Sequence, residues 1–170
     1  MNGLLANAGD LLSDEPDSNA LLFVCEGAIT AASVASIRSN VLSRVSVKYI
    51  GGRGELLSFL KHMHLLPLQQ PRAILVHDPN LSLLGGAIEE GGPRADRIME
   101  TLAVLCNAAE AAASTRRDAA AAAACGACKV SVSVSSSHAE GSPHELALLS
   151  HWLPASTTAA AERLFSTIPP

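Results

Sequence analysis

Residues 72 to 78 read Arg72-Ala73-Ile74-Leu75-Val76-His77-Asp78, with Pro71 before them and Pro79-Asn80 after. The apolar middle is too short for a helix and too unbroken for a strand with one wet face, so it reads as a parallel strand buried on both sides. Parallel strands need crossover connections, and this commits the chain to an α/β sheet. The run also delivers an aspartate at its carboxyl end, where open α/β sheets place their ligands. Arg72 to Asp78 is therefore both the expected centre of the fold and the first place to look for chemistry.

The chain has 170 residues, enough for one domain with a substantial core. Only 16% of residues are charged, and the net charge is -4. That balance gives no global field drawing the protein to nucleic acid or an anionic membrane, so any such contact must be local. The N-terminus carries Asp10, Asp14, Glu15 and Asp17 and has neither the basic region nor the apolar core of a signal peptide. An intracellular protein is expected. The four cysteines, Cys25, Cys106, Cys125 and Cys128, are not at framework spacings, which suits a reducing compartment. Cys125-Gly-Ala-Cys128 stands without the second ligand pair that a zinc site requires.

Other segments extend the pattern. Residues 3 to 12 suit a short helix, Ala20 to Cys25 a buried strand, and Ala28 to Leu42 an amphipathic helix. Arg44 to Tyr49 alternates with period two, a strand with a wetter face, and Gly51-Gly52 turns into a helix over Arg53 to Leu66 that Pro67 stops. A glycine-rich loop spans Gly85 to Pro93, and Arg94 to Arg117 is the longest helix, with Ile98, Leu102, Leu105 and Cys106 on one stripe. Residues 114 to 128 form an alanine-rich, low-complexity insertion or helix extension. Lys129 to Val134 alternates strictly, Pro143 to Leu153 is a helix opened by proline, and the tail from Ala155 suggests a further short helix. Alternating helices and strands with few hairpin signals describe a mostly parallel sheet.

A nucleotidase would need a G-x-x-x-x-G-K-[ST] loop, whose amides cradle phosphates while its lysine neutralises them. The lysines are Lys48, Lys61 and Lys129; none follows a glycine or precedes Ser or Thr, so the motif is missing, either lost or upstream of residue 1. Two partial substitutes remain. Gly51, Gly52 and Arg53 lie between a strand and a helix N-terminus, where anions bind, although the same residues also make an ordinary turn. Asp78 stands where a working enzyme has its Walker-B carboxylate, holding magnesium through water, but lacks the rest of that shell. His77 belongs to the opposite face of the strand end, a ligand or base on one reading and a packed, hydrogen-bonded residue on the other. Arg116, Arg117 and Lys129 form a basic spot that is either a solvated helix end or a nucleic-acid contact. The remaining histidines are dispersed, and no metal constellation follows.

Several segments together resemble one family. Val47-Lys48-Tyr49, Glu55 to Leu60, Ala73 to Asp78 with Leu81 and Leu84, and Leu146 to Pro154 are similar in order and spacing to the RecA-like recombinase-paralogue subunit of the Shu complex, across about residues 20 to 155. The resemblance implies a single RecA-like three-layer α/β domain over residues 1 to 170, with a central, mostly parallel sheet. It also implies a nuclear role in homologous-recombination DNA repair, a SWIM-domain protein and recombinase paralogues as partners, and contact with single-stranded DNA. With the P-loop missing, no cofactor is expected and ATPase activity is in doubt. An accessory subunit of the Elongator complex, acting in tRNA modification, shares the fold, and a small ATPase using ATP and magnesium at Gly51 to Gly54 is the enzyme alternative. On the interaction reading Asp78→Ala leaves partner binding intact, and a proline at Leu75 destroys the fold.

Overall fold

The computed structural model describes residues 9, 12, 19–25, 42–65, 71–87, 92–119, 128–135, 143–153, 155–159 and 162–166, with side chains placed through 115 in the long helix and through 153 in the chain as a whole. Six strands form one sheet in the order β2-β1-β3-β4-β6-β5. They are β1 (Ala20–Cys25), β2 (Val45–Ile50), β3 (Ala73–His77), β4 (Lys129–Ser135), β5 (Ala155–Ala159) and β6 (Glu162–Ser166). The first four are all parallel.

The Ala73–His77 run is interior, as its unbroken apolar character requires, with β1 on one side and β4 on the other. Its ladder continues past the strand: Arg72 donates to Asn19, Lys129 to Arg72, Asp78 to Ser133 and Ser135 to Pro79, at 2.8 to 3.0 Å. Ala73, Ile74, Leu75 and Val76 are all fully buried.

The register sorts side chains by parity. Leu21, Phe23, Ile74, Val76, Val130, Val132 and Val134 share one apolar cluster with the helices. Those helices are α1 (Arg53–His62), which ends in a 3-10 turn at Met63–Leu65, the single turn α2 (Ser82–Gly85), α3 (Arg94–Ala119) and α4 (Pro143–Trp152). Leu56 and Leu60 of α1, Ile98, Leu102 and Leu105 of α3, and Leu146 and Leu149 of α4 supply the helical half of this core. Residues of the opposite parity, including Ala20, Leu22, Val24, Leu75, Ser131 and Ser133, are buried too. A sheet buried on both faces is what the valine-rich runs demanded, and the architecture is compatible with a three-layer α/β fold.

One expectation changes. The tail from Ala155 is a strand pair, not a helix: β6 runs antiparallel to β4 with Val132 opposite Phe165, and β5 pairs antiparallel with β6. An otherwise parallel sheet thus ends in an antiparallel hairpin. Residues 114 to 119 extend α3, one of the two readings of that segment, while residues 120 to 127, Cys125 among them, lie outside the described residues. The expected helices at 3 to 12 and 28 to 42 lie largely outside them as well. No helix among the described residues is long and apolar enough to cross a membrane.

Candidate functional site at the carboxyl ends of the strands

In the order β2-β1-β3-β4 the strand order reverses between β1 and β3, and the crevice outside the carboxyl ends of the strands at such a point is the place where these sheets hold ligands. Asp78 lies there, one residue beyond β3. Its side chain is fully buried.

The path of the chain explains where the carboxylate goes. Residues 78 to 81 form a turn closed by Leu81 N donating to Asp78 O at 3.2 Å. Leu81 takes the left-handed conformation at φ 59, unusual for a branched residue, and this brings the amides of α2 back over Asp78. Oδ2 accepts from the Leu84 amide at 2.8 Å, and Oδ1 from the Ser82 hydroxyl at 3.3 Å. The amides of Ser82 and Leu83 also point at the carboxylate. Burial pushes the Asp78 carboxyl above the ordinary aspartate range, and these hydrogen bonds pull it back without cancelling the effect.

The other end of α2 is bound just as closely. Thr101 Oγ1 lies 2.8 Å from both the Leu84 and the Arg97 carbonyls, which share its proton. Arg97, buried at 8% exposure, donates from Nε to Gly85 O and from Nη1 to Gly92 O, both at 2.6 Å, and from Nη2 to Ala87 O at 3.2 Å. A single helical turn leaves all its terminal amides and carbonyls without internal partners, and here buried side chains answer both ends. Arg94 adds a strap, donating to Asn80 O at 2.6 Å and pairing with Glu145 of α4 at 3.4 Å. The same side chain passes so close to Gly85 that a Cβ there would lie 2.8 Å from Arg94 Nε.

Asp78, the Walker-B-like candidate, has a structural role in this geometry. Its carboxylate is a helix-capping group, enclosed and engaged through both oxygens, so removing it costs stability rather than leaving the fold untouched. Arg97, Thr101 and Ser82, which hold α2 in place, were not anticipated. The available signal was the placement of Arg97 and Thr101 one turn apart, beside the apolar stripe of Ile98 and Leu102.

Gly51, Gly52 and Arg53 do open α1, but the expected anion position is filled from within. Glu55 Oε2 accepts from the Gly51 amide at 2.8 Å, and its other oxygen lies 4.0 Å from Lys48. Arg53 pairs with Glu100, and its Nε donates to Thr101 Oγ1 at 3.0 Å. Through Thr101 this turn is joined to α2, so the two partial substitutes for a phosphate site belong to one network.

His77 occupies the opposite face, its Nδ1 2.7 Å from Ser133 Oγ. Cys25 Sγ lies 3.6 Å from Ser82 Oγ, and burial pushes its thiol up, which keeps it protonated and a poor nucleophile. Lys129 sits half-buried at the amino end of β4, away from Asp78. Arg116 and Arg117 belong to the last turns of α3, and their side chains lie outside the described residues. No group of three His, Cys, Asp or Glu among the described residues could hold a metal ion. A separate groove of about 240 Å³ lies between α1 and α3, lined by Leu60, Met63, His64, Val104 and Ala111. No family model matches the chain, and no curated protein does.

Proposed function

We propose that the chain is a non-catalytic RecA-like subunit of a recombination-mediator complex in homologous-recombination DNA repair, bound to a SWIM-domain partner and placed close to single-stranded DNA. The observation that carries the non-catalytic half is the enclosure of Asp78. A metal-binding carboxylate must offer an oxygen lone pair to the ion or to its water shell, and this one is fully buried, with both oxygens turned to Leu84 and Ser82. The four parallel strands with helices are the coarse architecture that such a subunit requires. The recombination half rests on the resemblance in the order and spacing of segments across about residues 20 to 155. A nuclear location goes with it.

Co-expression with a SWIM-domain protein tests the reading. The expected result is a stoichiometric complex in which the chain becomes more soluble than it is alone. A chain that stays monomeric and well folded at high concentration and ignores such a partner overturns it.

A further inference from the structure

The outer edge of β2 is a backbone surface with its own pairing pattern. Ala20 N donates to Arg44 O, and Ala20 stands opposite Val45 in the ladder. Parallel strands exchange bonds with the residues flanking the opposite position, so Arg44, Ser46, Lys48 and Ile50 turn their backbone groups toward β1. Val45, Val47 and Tyr49 turn theirs outward, at the edge of the sheet. No described backbone group outside the sheet bonds to them.

Proteins blunt such edges with prolines, bulges, charges or covering elements. The strand Val45–Ile50 has no proline, and its register with β1 has no bulge. Its one lysine is drawn aside, with Lys48 Nζ 5.6 Å from the Phe59 ring and 4.0 Å from Glu55. Val47 and Tyr49 stand 44% and 54% exposed.

We infer that this edge pairs antiparallel with the β2 edge of a second copy of the chain, about a two-fold axis at Val47. In that register Val47 faces Val47, Val45 faces Tyr49, and Ser46 faces Lys48, so each outward residue meets an outward residue. Branched residues meet an aromatic, the kind of cross-strand pair that stabilises sheets, and no like charges oppose. Centring the axis on Lys48 would set two lysines opposite each other. Centring it on Ser46 would set Tyr49 against Ser43, outside the strand. The interface is isologous and closes on itself. A strand edge alone is at the small end of stable interfaces, so the dimer forms as concentration rises. The inference stands apart from the recombination reading, since it needs only the ladder and the sequence of β2.

Sedimentation of the full chain across a concentration series tests it, with Val47→Pro and Val47→Lys beside the wild type. Val47→Pro removes an outward amide and spares every bond to β1; Val47→Lys places two lysines at the axis. The expected result is a monomer that shifts to a dimer with concentration in the wild type, and no shift in either variant at unchanged circular dichroism. A Val47→Cys variant oxidised at dimer concentrations is expected to cross-link through residue 47 of both copies. A wild type that stays monomeric overturns the inference. So does a Val47→Lys variant that dimerises as well as wild type, or a dimer whose cross-links map to another face.

Discussion

The carboxyl ends of β3 and β2 begin alike. Each strand ends in a turn that feeds a helix N-terminus, and at each a carboxylate accepts from a backbone amide: Asp78, before α2, from Leu84 within it, and Glu55, within α1, from Gly51 in the turn before it. They differ in burial. Asp78 is fully enclosed, whereas Glu55 is exposed. One motif is thus a structural keystone in one place and a surface cap in the other. Desolvation magnifies the loss of a partner inside the protein, while water replaces a lost partner outside.

The sharpest way to break this comparison is at its base. Leu75→Pro removes a ladder donor from the strand that carries Asp78, and no folded protein is expected by circular dichroism. Asp78→Ala comes next: it takes the acceptor from the Leu84 amide and the Ser82 hydroxyl, with an expected loss of roughly 3 kcal/mol in denaturant unfolding. Asp78→Asn keeps an acceptor for Leu84 and is expected to lose about 1 kcal/mol. The pair also separates by pH. The folded carboxyl is raised, so at pH values between the ordinary and the raised range Asp78 takes up a proton on folding. Its contribution is full below the ordinary aspartate range and falls as pH rises through the raised value, and Asp78→Asn flattens that slope.

Arg97→Met is expected to cost about 2 kcal/mol, because the carbonyls of Gly85, Ala87 and Gly92 lose a charged donor within the core. At the β2 end, Glu55→Ala is expected to cost less than about 1 kcal/mol, since water replaces the lost acceptor at the exposed Gly51 amide. If Glu55→Ala proves as costly as Asp78→Ala, burial is not what distinguishes the two ends.

Most of the parallel core was legible because its signal is local. Leu21 to Val24 and Ala73 to Val76 are branched runs that suit only a buried strand, and the alternation of valine and serine in β4 matches its ladder. The β5–β6 hairpin was not legible. Ala-Ser-Thr-Thr-Ala is ambiguous by itself, and it is pairing with β4 through β6 that makes it a strand. The site divides in the same way. An aspartate at a strand end could be read directly, and Pro79-Asn80 marked the turn after it. That α2 folds back onto the carboxylate depends on Leu81, Thr101 and Arg97, which come together only in three dimensions.

Asp78 caps α2 from within the core, and on the proposed reading it holds neither metal nor nucleotide. Calorimetric titration of the full chain with magnesium and ATP, beside Asp78→Asn, tests it most directly. No saturable binding by either protein is expected up to millimolar ATP, with the variant only slightly less stable. Saturable binding by the wild type, lost in an Asp78→Asn variant of unchanged fold and melting temperature, would contradict it.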